Sequence, residues 1–380
     1  MSPAMATATA AVTRGIEEPF ELADIRIDEP RPHEVLVTMT AVGMCHTDLS
    51  VRAGHTPFPL PAVLGHEGAG VVERVGQAVT GVKTGDRVVI SFDSCGMCLP
   101  CETGRPVQCR HWATLNLLGG ARLDGSPTVR AAGSGPGRGA DQPLHGCFFG
   151  QSSFATLALA TERNVVKVPP EAPLALLGPL ACGVQTGAGA ILNVLKPSPG
   201  CTVAVFGGGA VGLSATLAAQ LTGATRIVVV DIAPARLALA RELGATDVID
   251  SRVDDPVRAI FDLTGGTGAE YTLETSGVIR VLRQAVDALA VDGYCGVIGA
   301  PPFGSEVSLN VPQMLDRNPH IVGINQGASV PRQFIPTLIE LHRRGRLPFE
   351  RFIHTFPFAD IEQAAQAALA GEVVKPVLLI

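Results

Sequence analysis

A chain of 380 residues exceeds the roughly 100–200 residues of one domain, so two domains are expected, each able to bury a core of its own. A formal charge of −6, a pI near 5.9 and the lack of any Lys/Arg-rich run exclude a basic face for nucleic acid or an anionic membrane. Residues 172–195 and 197–225 carry no Asp, Glu, Lys or Arg, yet Gly, Pro, Asn, Gln, Ser and Thr interrupt both, which reads as buried α/β core rather than membrane span.

Residues 1–12 hold no basic segment and no strong apolar block ahead of Arg14, so no export signal is read and a cytoplasmic protein is expected. In such a reducing compartment, nine cysteines point to metal ligation before disulfides. Up to about Val168 the apolar runs are short and separated by Pro- and Gly-bearing turns, with strands predicted at 34–40, 70–75 and 86–90. This pattern predicts a compact, mostly antiparallel β domain. The stretch 119–140 is rich in Gly, Ala, Ser and Arg and is predicted to be a surface loop, mobile or insertion-like.

Beyond Pro170 buried strands alternate with apolar helices: strand 202–206, helix 212–221, strand 226–230, helix 234–243 and strand 247–249. That βαβαβ order predicts a doubly wound parallel sheet. A strand near 296–299, a helix over 331–344 and a last strand over 376–380 follow, without an internal repeat.

Three motifs carry chemistry. Cys95-x-x-Cys98-x-x-Cys101-x7-Cys109 gathers four thiols in one short lobe, 92–110, suited to a tetrahedral zinc with no open position and hence a structural role. Spacing alone leaves an iron–sulfur cluster open, and the lobe should lose its order without its metal. Gly207-Gly-Gly209-Ala-Val211-Gly212 follows a predicted strand and opens a helix, and Asp231 ends the next strand. Such a turn admits a pyrophosphate at the helix N-terminus while the acid takes the adenosine ribose, which favours NAD over NADP. Arg236 tempers that preference, because it can reach the ribose edge.

The third motif is Gly65-His66-Glu67-Gly-Ala-Gly70, which sets a histidine and a carboxylate against backbone that can approach closely. About 20 residues earlier stands Cys45-His46-Thr47-Asp48, and far beyond it Ala181-Cys182-Gly-Val-Gln-Thr186. Cys201 and Cys295 read as small core residues, and spacing does not choose between Cys147 and Cys182 as a third ligand.

Taken together, these motifs resemble, essentially end to end, the zinc-dependent medium-chain alcohol dehydrogenases, and within them the aryl and allylic alcohol branch of benzyl alcohol dehydrogenase type. The resemblance implies an α/β fold: a GroES-like β catalytic domain over 1–183 and 325–380, plus a Rossmann NAD-binding domain over 184–324, with the active site in the cleft between them. It implies a catalytic zinc on Cys45, His66 and Cys182 with the fourth position open, and Asp48 and Glu67 behind those ligands as carboxylates that steer the imidazole. A second zinc belongs to Cys95, Cys98, Cys101 and Cys109. To NAD it assigns His46, Thr186, Gly207, Gly209, Val211, Gly212, Asp231, Arg236 and Lys375, with His46 and Lys375 on the pyrophosphate. Thr47 takes the alcohol proton. The family's usual histidine outlet is here Ser50, so the relay ends in water or at another base such as His55.

Phe92, Phe148, Phe149, Thr56 and Ala300 fall where the resemblance places the substrate pocket, and aromatic walls suit planar alcohols. A primary aryl or allylic alcohol and its aldehyde are the expected substrate pair. The alternatives are a thiol-dependent formaldehyde dehydrogenase and, least favoured, a non-enzymatic binding protein on the same fold. The resemblance implies pairing of Rossmann edge strands, for which 294–300 is the expected segment, and the extra 119–140 segment makes a homodimer expected rather than a tetramer.

Overall fold

The computed structural model describes residues 5–132 and 144–380. The chain divides into a unit of Met1–Cys182, Val330–Ile339 and Ile353–Ile380 and a unit of Gly183–Ser329 and Glu340–Phe352. The C-terminal part therefore joins the first unit in two pieces, not as one block from 325.

In the first unit the central strand Glu34–Gly43 is buried along most of its length and pairs antiparallel with Glu67–Val75, Leu157–Thr161 and Lys375–Leu379. Arg87–Ile90 and Val165–Lys167 extend that sheet, and Ile353–Pro357 runs parallel to Lys375–Leu379. A second, four-stranded antiparallel sheet is ordered Ala62–Val63, Ala6–Thr13, Glu21–Ile27, Val129–Ala131. The two sheets share one apolar core that includes Val35, Val37, Val42, Leu64, Phe148 and Phe154. One register matters for chemistry: Gly43 lies opposite Glu67 on one side and Val377 on the other. Across a residue without a side chain, Glu67 and the strand of Lys375 come within reach of each other.

The second unit is a six-stranded, wholly parallel sheet in the order Asp247–Asp250, Arg226–Asp231, Thr202–Phe206, Ala269–Glu274, Leu289–Val297, His320–Gly323. This is the Rossmann order, and it reverses between Thr202–Phe206 and Ala269–Glu274. Every residue of Thr202–Phe206 is buried, as a strand covered by helices on both faces requires. Among the described residues no single helix is long and apolar enough to cross a membrane.

Three expectations are corrected. The helix after the glycine turn is Ala210–Ala219, two residues earlier than predicted, because Gly209 is its N-cap. The segment 294–300 is no edge: Leu289–Val297 is paired on both sides and His320–Gly323 is the edge strand. Part of 119–140 is pinned. Val129–Ala131 pairs with Glu21–Ile27, and the buried guanidinium of Arg122 donates to Glu34 Oε1 at 2.6 Å and to Asp28 Oδ2 at 3.0 Å. A long-range ion pair holds what composition alone reads as loop; residues 133–140 of that expectation lie outside the described residues.

Candidate active site and metal centres

Cys45, His66, Glu67 and Cys182 bring their ligand atoms within 4.8 Å of one another. Cys45 caps the helix His46–Arg52, and the third residue of that helix, Asp48, is fully buried. Its carboxylate accepts the Cys45 N–H at 2.9 Å through Oδ2 and the Gly65 N–H at 3.0 Å through Oδ1, and Oδ1 also lies 3.1 Å from His66 Nδ1. One carboxylate thus ties both ligand segments together. With Nδ1–H given to Asp48, Nε2 is the atom left to offer a lone pair to a metal once it gives up its own proton. Nε2 is buried and has no hydrogen-bond partner among the described residues.

Cys182 arrives on the turn Gly178–Ala181, where a Cβ on Gly178 would overlap the Glu67 carbonyl. Only glycine permits that approach. A hydrogen bond with Cys182, outweighing burial, holds the Cys45 thiol well below its ordinary range, and the same bond with burial holds Cys182 well above it. Burial disfavours the His66 imidazolium, but the Asp48 carboxylate, with help from Cys45, lifts the ring to about 10. Two thiols and an imidazole with an unsatisfied buried nitrogen are the donor set that zinc takes.

Glu67 and Lys375 are corrected in detail. Lys375, expected at the pyrophosphate, is 2 % exposed; its Nζ donates to Met44 O at 3.0 Å and to Glu67 Oε1 and Oε2 at 2.9 and 3.0 Å. The strand register delivers a cation to a buried carboxylate, leaving the ammonium no donor for a cofactor. Burial raises the Glu67 carboxyl to about 7 against the pull of Lys375. Lys375 stays above its ordinary range, because Glu67 and Cys45 outweigh its own burial. The two shifts point opposite ways about the proton, and the bidentate contact favours the ammonium–carboxylate form.

The pocket residues separate. Phe148 and Phe149, 0 % and 4 % exposed, pack on the imidazole: Phe149 stacks at 4.4 Å and Phe148 meets it edge-on at 5.3 Å. Phe92 is buried nearby in sequence to the cysteine lobe, and Ala300 lies in the other unit, against Gly277. Thr47 is half-buried with its hydroxyl 3.7 Å from Cys45 Sγ. Ser50 Oγ and Thr56 Oγ1 share a 2.8 Å hydrogen bond, while His46 and His55 are exposed.

Gln151 is a residue that sequence reasoning passed over. It is buried, its Nε2 donates to His66 O and Ile90 O at 2.9 Å, and its Oε1 accepts the Gly68 N–H at 3.1 Å. Ser153 N–H and Phe154 N–H bond Gly65 O and Leu64 O at 2.9 and 3.0 Å, so 151–154 straps the histidine turn. The only signal was a glutamine inside the apolar stretch Phe148–Phe154.

Cys95, Cys98, Cys101 and Cys109 form the second cluster within 4.8 Å. The Arg110 and Cys101 N–H groups lower Cys98 to about 6, whereas burial raises Cys101 and pushes Cys109 up to about 12. In the other unit Gly207 takes a φ of 113°, and Gly212 abuts the Gly207 carbonyl. Gly209 faces open space where a Cβ would stand, the vacancy a phosphate group uses at a helix N-terminus. Asp231 accepts the Gly208 N–H at 2.6 Å and the Ala233 N–H at 2.8 Å, so it braces the turn. Arg236 packs its Cβ toward Gly208 and buries an Nε without a partner among the described residues. Val211 is half-buried in the first helical turn, and Thr186 buries a hydroxyl with no partner among the described residues.

Residues 31–170 match the alcohol dehydrogenase GroES-like domain family and residues 210–343 the zinc-binding dehydrogenase family. Together with the relatives below, these matches show that the chain belongs to the zinc-dependent medium-chain alcohol dehydrogenases. Geraniol dehydrogenase of Castellaniella defragrans is 44% identical over 374 residues, 98% of each chain. An alcohol dehydrogenase zinc-binding domain protein from Burkholderia ambifaria superposes with a TM-score of 0.94 at 50% identity, covering 99% of this chain and 100% of that one. Benzyl alcohol dehydrogenase of Acinetobacter calcoaceticus gives 0.93 at 43% identity over 99% of both. These relatives place the chain on the allylic and aryl branch.

Proposed function

We propose that this zinc alcohol dehydrogenase reversibly oxidises a primary aryl or allylic alcohol to its aldehyde with NAD, at Cys45, His66 and Cys182. The observation that carries the reading is the buried, unpartnered His66 Nε2 beside two thiols, with Asp48 on the other ring nitrogen. Zinc supplies a Lewis acid there that lowers the pKa of an alcohol, and NAD supplies the hydride acceptor. Asp48 fixes the imidazole tautomer, and Phe148 and Phe149 hold its plane while excluding water. Gly207, Gly209, Val211 and Gly212 receive the pyrophosphate, and Asp231 and Arg236 flank the ribose; His46 keeps its assignment to the cofactor. Thr186 is assigned to the nicotinamide end. Each Asp231 oxygen keeps a lone pair beyond its backbone bond.

Thr47 takes the alcohol proton. Thr47→Ala should lower kcat at neutral pH by roughly a hundredfold while Thr47→Ser retains most of it; unchanged turnover in the alanine variant would remove Thr47 from the relay. Burying an aromatic or prenyl tail should give benzyl alcohol or geraniol a kcat/KM about ten- to several-hundredfold above ethanol. A steady-state panel with NAD and NADP measures this, and formaldehyde with and without a thiol belongs in it. Ethanol as the best substrate would end the aryl and allylic assignment, and a thiol-dependent formaldehyde activity would favour the alternative.

We further propose that the four-cysteine lobe holds a second zinc. Because Cys101 and Cys109 are raised, the metal must displace their protons, so affinity falls as pH falls. Zinc retention against a fixed chelator should drop roughly tenfold per pH unit for each displaced proton, read with a colorimetric zinc dye. Retention independent of pH from 8 to 6 would contradict thiolate ligation. The proposed homodimer would pair the edge strand His320–Gly323, whose Ile321 is 40% exposed.

A further inference from the structure

Trp112 is the chain's one tryptophan. It packs against the group of Cys95, Cys109 and Leu115 in the cysteine lobe. Its Nε1–H is buried with no acceptor among the described residues, so packing alone seats the indole. The backbone beneath it is fixed: Asn116 Nδ2 donates to Trp112 O at 2.8 Å and to Asp93 O at 3.0 Å, and Asn116 Oδ1 accepts the Asp93 N–H at 2.9 Å.

The indole also meets the ring of Phe149 at 5.8 Å and 87°, and Phe149 in turn lies nearly parallel on the His66 imidazole at 4.4 Å and 23°. Phe149 adopts a φ of 51°, flanked by Cys147 at 58° and Ser152 at 52°. A bulky residue persists in the left-handed region only where its surroundings over-determine it. Three hydrogen bonds supply the restraint: Phe148 N–H donates to Ser152 Oγ at 3.0 Å, Ser152 Oγ donates to Val63 O at 2.7 Å, and Gln151 Nε2 donates to His66 O at 2.9 Å.

We propose that Trp112 and Phe149 are positioning residues that couple the four-cysteine lobe to His66. The lobe seats the indole, the indole seats Phe149, and Phe149 fixes the plane in which the imidazole offers Nε2. This rests on the proposed reading of Cys45, His66 and Cys182 as the catalytic metal site. It extends that reading by giving the distant cysteines a function at the reacting centre besides local stability.

The test is zinc release from the full chain to a chromogenic chelator, with the phase belonging to His66 identified by its loss in His66→Ala. Trp112→Ala and Phe149→Leu should each accelerate that phase roughly three- to tenfold, the equivalent of one aromatic pair. The double variant should be no faster than the faster single variant, since both break one chain of contacts. Trp112→Phe should stay near wild type, because it restores an aromatic edge and the lost N–H made no bond. If Trp112→Ala disorders the lobe, Phe149→Leu carries the test, with the expected signature of a shifted Trp112 emission maximum and an unchanged lobe phase.

Full amplitudes with unchanged rates in both single variants, or a double variant equal to the product of the two, would overturn the coupling alone. A wild-type protein whose zinc amplitude is untouched by His66→Ala would overturn the metal-site reading and the coupling with it.

Discussion

His66→Ala protein is expected to bind one zinc per chain where the wild type binds two, and to lose at least about a thousandfold in kcat/KM. The count follows from geometry: the alanine variant leaves Cys45 and Cys182 with too few donors to close a site, while the four-cysteine lobe keeps its full set. The size of the rate loss follows from the several kcal/mol that a Lewis acid contributes to such a reaction, each 1.36 kcal/mol being tenfold. Metal analysis and steady-state rates on one preparation settle it. Two zinc ions and near-normal turnover in the variant would remove His66 from the metal site.

Lys375→Met should be the most destabilising single change near the site. It strands the Glu67 carboxylate, 0% exposed, without its cation, and breaking such a buried pair costs about 3–5 kcal/mol. The thermal midpoint should fall by roughly 6–20 °C. The pH dependence has a definite sign. Burial pushes the Glu67 carboxyl up to about 7 even against the pull of Lys375, so in the variant, where that pull is gone, folding favours the protonated form. The penalty in the variant is therefore full above the folded pKa and is relieved as pH falls toward the unfolded one. The gap between variant and wild type should narrow between pH 8 and pH 6, and adding Glu67→Gln should recover much of it at pH 8. A gap that widens on acidification would mean that Lys375 acts elsewhere.

Much of this molecule is written locally in its sequence. The four cysteines of the lobe lie within fifteen residues, and the glycine turn with Asp231 lies within one βαβ unit, so short-range spacing exposes both. The strand Thr202–Phe206 was legible to the residue because β-branched burial and a flanking Gly run leave no other reading. What stayed hidden depends on pairings over long separations. Lys375 reads as a lone basic residue until the register of Gly43 with Glu67 and Val377 sets it beside a carboxylate. Gln151 is a polar residue whose three carbonyl partners, on His66, Ile90 and Ser91, lie 85, 61 and 60 residues away, and nothing in its neighbourhood announces them. Arg122 sits in a stretch of loop-like composition, and its anchors lie 88 and 94 residues away. Phe148 and Phe149 were found by resemblance, but the stacking of Phe149 on His66 comes with a left-handed backbone that composition does not forecast.

The Glu67–Lys375 pair spans 308 residues, and this bears on the order of assembly. A ribosome adding about 5–20 residues per second exposes Cys45, His66 and Glu67 roughly 15–60 s before Lys375 is made. During that interval the metal-binding strands exist without the charge that lets Glu67 be buried between them. Burial of Glu67 with its counter-ion waits for the strand carrying Lys375 to pair beside Gly43.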